Sequence, residues 1–488
     1  MSDTNPDGRM FDGLTFDDVL LVPQRSDLLP SEVDVATRFS RRVGLRVPIA
    51  SAAMDTVTEA ELAKALAREG GIGVIHRNFS IEGQVAEVER VKRASNAVIT
   101  DPMTLGPGAS MGQARALMAE HAISGLPIVE GRVVVGILTR RDCRWRTPDD
   151  TPVSEVMTKE GLVTAPPGTS MGEARELLFK NKIEKLLIVN SDRTLAGLVT
   201  MKDLDQVEEF PNTASDERGR LRVAAAIGVR DYERAAGLMG ADVDVLVVDT
   251  AHGHSQNVIE TVAELKRLHD VDVVAGNVAT PEAALELVAA GADGVKVGIG
   301  PGSICTTRIV AGVGVPQFSA IQRIAHALAK SDVPVIADGG VRFSGDMVKA
   351  LAAGASCVMI GSLLAGVDES PGETILYRGR TFKAVRGMGS IGAMTEGGKE
   401  RYRQGHVRET DKLVPEGIEG MVPAKGKLSP FVYQLVGGIR AGMGYVGARD
   451  MATLWERARF VRVTAAGQKE SHPHDVTITK ESPNYFHE

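Results

Sequence analysis

The chain has 488 residues, 43% of them hydrophobic and 24% charged, with a formal net charge of −7. It can bury a sizeable core, it is long for a single domain at about 150 residues each, and it fits a barrel of about 250 residues with an insert. The acidic balance argues against a general binder of nucleic acid or anionic membranes.

The N-terminus is polar, with no apolar leader, and no long uninterrupted apolar segment reads as a membrane span. Three cysteines, Cys143, Cys305 and Cys357, share no metal-ligand spacing. Unpaired thiols suit a reducing compartment, so a cytoplasmic location is expected.

Short apolar runs ending in Gly, Asp, Asn or Ser recur along the chain. The first two cover 48–51 and 73–76, separated by a helical pattern over 59–69. Six more follow at 223–226, 245–249, 273–277, 294–297, 335–338 and 358–361. Helical patterns such as 281–290 and 344–353 lie between several of them. Near-continuous apolar strands alternating with helices predict a parallel sheet, and eight such units predict an α/β fold of the (β/α)8 barrel type.

Between the second and third runs lies an internal repeat. Ser110-Met111-Gly112-Gln113-Ala114-Arg115 matches Ser170-Met171-Gly172-Glu173-Ala174-Arg175, and Thr139 to Asp142 matches Thr200 to Asp203. Two copies of one β-α-β unit predict a self-paired module over 96–207, leaving barrel segments 1–95 and 208–488. Asp142 and Asp203 either cap helices or accept ribose hydroxyls in a nucleotide-sensing cleft. Late in the chain, 379–429 is rich in Gly and charge with little periodicity, which predicts a mobile flap.

The stretch from Val297 to Arg308 places Cys305 in a turn built from Gly298, Gly300, Pro301 and Gly302. Glycine lets a ligand approach the backbone, and proline bars helix. Cys357, by contrast, sits in an ordinary apolar run. A free thiol of pKa about 8.5 is only slightly ionised at neutral pH, so a nucleophile here needs a positive neighbour or a base. Arg308 or a bound cation is the candidate. The competing reading is an inert core cysteine. Asp338-Gly339-Gly340 and Gly361-Ser362 end the seventh and eighth strands, where barrels place phosphate, unless the glycines only make tight turns. Asp249 ends the fourth strand, where it can accept ribose hydroxyls. His252 and His254 beside it read more simply as loop hydrogen-bonding groups. Gly298-Ile299-Gly300 is half of a dinucleotide fingerprint, without its Rossmann setting.

Several motifs together resemble the bacterial inosine-5′-monophosphate (IMP) dehydrogenases. They are Leu14-Thr15-Phe16-Asp17-Asp18, Ala52-Ala53-Met54-Asp55-Thr56, the run from Val297 to Arg308, Ala337-Asp338-Gly339-Gly340, Arg386-Gly387-Met388-Gly389-Ser390, Arg401-Tyr402, Pro415-Glu416-Gly417, and Glu470-Ser471-His472-Pro473. The resemblance spans essentially the whole chain, and the repeat is similar to the CBS pair carried by that family.

The resemblance implies NAD-dependent oxidation of IMP to XMP, the committed step of guanine nucleotide synthesis. Cys305 would form a covalent thioimidate, hydrolysed with help from Thr307, Arg401 and Tyr402. Ser303, Asp338, Gly339, Gly340, Gly361, Ser362, Arg386, Gly387, Met388, Gly389 and Glu416 would hold IMP. Asp249, Gly298, Ile299 and Gly300 would contact NAD+. Gly300, Gly302 and Cys305 would bind K+, joined by Glu470, Ser471 and His472 of a neighbouring subunit. A homotetramer or octamer follows, with adenine or guanine nucleotides at the CBS pair. Val385, Met421 and Ala424 depart from the family pattern, which has Tyr, Arg and Tyr there. Two rival readings are GMP reductase, using NADPH, and a CBS-based sensor with an inert barrel.

Overall fold

The computed structural model describes residues 10–94, 99, 102–121, 123–144, 147–402, 404–405, 407, 409–480 and 482–485; within them the side chains of 202, 203, 206, 207 and 400 are left aside. The chain forms two compact units. One comprises Met1–Lys92, Asn212–Ala214 and Leu221–Glu488; the other comprises Arg93–Pro211 and Ser215–Arg220.

The larger unit is a closed barrel of eight parallel strands: β1 (Ile49–Ser51), β2 (Ile72–Ile75), β3 (Val223–Ile227), β4 (Val245–Asp249), β5 (Asp272–Val278), β6 (Gly294–Val297), β7 (Val335–Asp338) and β8 (Cys357–Ile360). All eight expected runs are barrel strands, within a residue or two at their ends. Closure joins β8 to β1, with Ile360 opposite Ser51. β2 pairs directly with β3, with Gly73 opposite Val223, although the second unit lies between them in sequence. Both strand faces are covered, so nearly every strand residue is buried. The interior packs Ala50, Val74, Ala224, Val247, Val274, Ile336 and Met359.

The stretch expected to lack periodicity is in fact partly sheet. β9 (Thr374–Tyr377), β10 (Arg380–Arg386) and β11 (Glu419–Pro423) form a three-stranded antiparallel ribbon. The ribbon starts before 379, and its turn at Arg378 and Gly379 has positive φ at both residues. Its charged residues hide the pattern. Lys383 is buried, and its ammonium donates to the carbonyls of Val367 (3.0 Å) and Ser370 (2.5 Å), a cap that a reader of polarity scores as solvent-facing. Val385 is also buried, opposite Gly420, and Met421 pairs with Ala384.

The second unit holds the repeat. Ser110 caps Met111–Glu120 and Ser170 caps Met171–Asn181, each with a reciprocal capping box. Each copy has its own core, one around Leu126 and Leu138, the other around Leu186 and Val199. Val134, Ile137, Leu187 and Leu198 join the two copies. The unit is wider than 96–207 because flanking residues on both sides pack with it. Asp142 accepts from the backbone N–H and the hydroxyl of Thr139, both at 2.7 Å. The Asp203 side chain lies outside the described residues.

Candidate active site

The chemistry-bearing residues gather at the carboxyl ends of β4 to β8. The loop after β6 carries Cys305, and two of its glycines are required sterically. A Cβ at Gly298 (φ 151°) would lie 2.1 Å from the Asp338 carbonyl oxygen. At Gly300 (φ 75°) it would lie 2.6 Å from Arg308 Cγ. Gly298→Ala is therefore expected to destabilise the protein by about 2 kcal/mol or more, lowering the melting temperature and displacing the Cys305 loop. Thermal unfolding followed by circular dichroism checks it.

Cys305 is half-buried, and its backbone N–H donates to the Gly302 carbonyl at 3.1 Å. Its Sγ lies 3.2 Å from Thr307 Oγ1. Arg308, expected to act on the sulfur, has a different first task. Its guanidinium donates to the carbonyls of Ile299 (3.2 Å) and Val315 (2.6 Å), so it fastens the loop from within. Burial pushes that guanidinium down, and the charge of Cys305 pulls it back, so the two still interact at longer range.

The cradle residues line one cavity of about 330 Å³. Ser303, Asp338, Gly339, Gly340, Gly361 and Ser362 all face it. Ser303 Oγ and Ser362 Oγ stand 2.6 Å apart, and Gly339 and Gly340 have φ of 89° and 81°. Small residues and the hydroxyls of Ser303 and Ser362 in that space suit a phosphate.

The flap residues meet the Cys305 loop through backbone bonds. Thr306 N–H donates to the Glu416 carbonyl (2.9 Å), Ile418 N–H to Ile304 (3.0 Å), Gly387 N–H to Ile418 (2.9 Å) and Glu416 N–H to Gly389 (3.0 Å). A Cβ at Gly389 would lie 2.6 Å from Tyr402 Cζ, so the ring rests on that backbone. Met388 is buried. Arg386, expected to touch substrate, commits its guanidinium elsewhere. It pairs with Asp55 at 2.7 Å and with Glu396, and the Asp55 hydrogen bonds raise its already high pKa further. It anchors the flap rather than facing the cavity.

Arg401 ion-pairs with Asp249, a buried carboxylate at the end of β4. Asp249 is also 2.9 Å from the Lys296 ammonium. Burial pushes the Arg401 guanidinium down, and the like charge of Arg77 adds to that, while Tyr402 opposes it. Arg401 Nε has no hydrogen-bond partner among the described residues. Burial pushes the Tyr402 phenol up, and the charges of Cys305 and Glu416 act in the same direction. The flap pair thus lies within electrostatic reach of the sulfur.

The remaining candidates have their own partners. His254 pairs with Glu286 at 3.3 Å. Ser471 bonds back to its own helix, and His472 Nδ1 is 3.0 Å from the Tyr485 hydroxyl, beside Phe343. Residues missed in the sequence are Lys296, Asn277 and Gln317. Gln317 donates to the carbonyls of Val297 (2.9 Å) and Asp338 (3.0 Å), which ties β6 to β7. The available signal for Lys296 was a lysine in the middle of an otherwise apolar strand.

A thiol in a rigid loop, a phosphate-sized cradle and a desolvated arginine on a flap can together support covalent catalysis on a nucleotide followed by attack of water. The family model for the IMP dehydrogenase / GMP reductase domain matches residues 13–474. The chain is 58% identical over 482 residues to inosine-5′-monophosphate dehydrogenase of Aquifex aeolicus, covering 97% of this chain and 98% of the relative. It is 57% identical to the Rhodopirellula baltica enzyme of that name, over 97% and 88% of the two chains. Bacillus subtilis has a relative of the same name at 54% identity, over 97% and 98%. A solved structure of a variant GMP reductase from Trypanosoma brucei, in complex with guanosine 5′-monophosphate, superposes with a TM-score of 0.86 at 43% identity, over 97% of this chain and 100% of the other. The chain belongs to the IMP dehydrogenase / GMP reductase family.

Proposed function

We propose that this chain oxidises IMP to XMP with NAD+ as the hydride acceptor, the committed step of guanine nucleotide synthesis. The observation that carries the choice is the flap pair, with Arg401 on Asp249 and Tyr402 on the Gly389 backbone. Hydrolysis needs an activated water, whereas reductive deamination does not.

Cys305 Sγ adds to C2 of the hypoxanthine, with Thr307 beside it; the C2=N3 double bond opens and the thiol proton goes to N3, to be released to solvent when the hydride is lost. The cradle of Ser303, Gly340, Gly361 and Ser362 holds the phosphate, and Asp338 accepts ribose hydroxyls. NAD+, held at Asp249 and the Gly298 to Gly300 loop, supplies the acceptor for the hydride lost from C2, which leaves a thioimidate on Cys305. The buried Asp249 carboxylate fits a ribose hydroxyl, and Arg401 occupies its Oδ2 when the flap is closed. Water then adds to C2, its proton passes to Arg401, and the C–S bond breaks to release XMP. Burial and Arg77 favour the neutral guanidine that this step needs, Tyr402 opposes them, and the ion pair with Asp249 orients the group.

K+ fits the carbonyl oxygens of Gly300, Gly302 and Cys305, which are hard donors; completing its shell with Glu470, Ser471 and His472 would take a neighbouring copy, hence a homotetramer. The repeat module would bind adenine or guanine nucleotides as a CBS pair and support octamers. No helix among the described residues is long and apolar enough to cross a membrane, and three free thiols suit the cytoplasm.

The test is absorbance at 340 nm on mixing protein, IMP, NAD+ and K+. NADH formation supports the reading. NADPH consumption with GMP, and no NADH from IMP, overturns it in favour of the reductase.

A further inference from the structure

Lys296 is among the largest fully buried side chains of the chain, at 2% exposure. It sits on β6 and points between the two halves of the site. Its Nζ lies 2.6 Å from Asp338 Oδ2 and 2.9 Å from Asp249 Oδ1, and it also contacts Asn277 Oδ1. Of the ammonium's three donors, two go to Asp338 Oδ2 and Asn277 Oδ1, while Asp249 Oδ1 lies at ion-pair distance without a hydrogen bond among the described residues. Asn277 completes the frame, donating to Asp338 Oδ2 (2.9 Å) and to the Gly298 carbonyl at the start of the Cys305 loop (2.7 Å).

We infer that Lys296 is a positioning residue that holds the nucleotide-side carboxylate Asp338 and the dinucleotide-side carboxylate Asp249 in one geometry. This rests on the reading of the site given above. Two carboxylates near each other repel, and a single cation between them offsets that repulsion and aims both. Asp249 changes partners during turnover when Arg401 leaves it. Lys296 stays, so the carboxylate remains in place for the next occupant. Placing one ammonium on both sides also couples them: a ligand that pulls on Asp338 shifts the ammonium that Asp249 depends on.

The experiment is steady-state kinetics of the full chain with Lys296→Met, Asp249→Asn, Asp338→Asn and the two double variants. Lys296→Met is expected to raise KM for IMP and for NAD+ by about tenfold each, more than it lowers kcat. Asp249→Asn should act mainly on NAD+ and Asp338→Asn mainly on IMP. Adding Lys296→Met to Asp249→Asn should then change KM for NAD+ by less than about twofold, because the path is already cut. Losses that multiply in the double variants, or a lowered melting temperature with both KM values unchanged, overturn the inference. Should Lys296→Met fail to fold by circular dichroism, Lys296→Arg, which keeps charge but misplaces it, carries the same test with the same two outcomes. Wild-type protein that makes no NADH from IMP would refute the assigned reaction instead, which separates the two failures.

Discussion

Replacing Cys305 with alanine is expected to lower NADH formation at least about 10⁴-fold and to abolish any covalent adduct with IMP detected by mass spectrometry. The argument rests on position. Cys357 lies in β8 at 0% exposure, and burial pushes its thiol up. Burial pushes the Cys143 thiol up as well, and it belongs to the second unit. Only Cys305 is held in a glycine loop beside the cradle, with a threonine hydroxyl 3.2 Å from its sulfur. The Arg308 fastening keeps that loop in place without the thiol, so the alanine variant should fold and still bind IMP. An adduct that survives the substitution would move the nucleophile elsewhere.

Replacing Arg401 with alanine is expected to split the reaction. The first turnover should still give a burst of NADH, because Arg401 is absent from the adduct-forming step. Steady-state turnover should fall about 10²–10⁴-fold, the usual contribution of a positioned base. The covalent intermediate should accumulate, visible as a mass shift on Cys305. An unaffected steady state would remove Arg401 from hydrolysis. The wild-type hydrolytic step should quicken as pH rises, since the neutral guanidine is the working form and burial already pushes it in that direction. A turnover rate that falls with rising pH would contradict this.

The barrel was legible because parallel strands buried on both faces read as apolar runs, and those runs survive in any reading of the chain. The cradle and Cys305 were legible because glycine, proline and serine cluster where a ligand must approach. The flap ribbon was not. Lys383 and Arg386 are strand residues whose charges are absorbed by carbonyls and by Asp55, and polarity alone cannot distinguish a buried capped charge from a solvated one. Lys296 was missed for a related reason. Its partner Asp338 lies 42 residues away, and only the closed barrel brings them together. Arg308 was read as a source of field, because sequence gives proximity to the sulfur but not the direction of a long side chain.

Asp249 has a consequence for the order of events. One carboxylate faces two claimants, the flap arginine now seated on it and, in the proposed reaction, the dinucleotide. They exclude each other. In the proposed reaction water is not activated while the hydride acceptor occupies that seat, and the thioimidate is shielded from premature hydrolysis until the reduced dinucleotide has left. In that reaction the two half-reactions queue for one carboxylate, and release of the first product is the gate for forming the second.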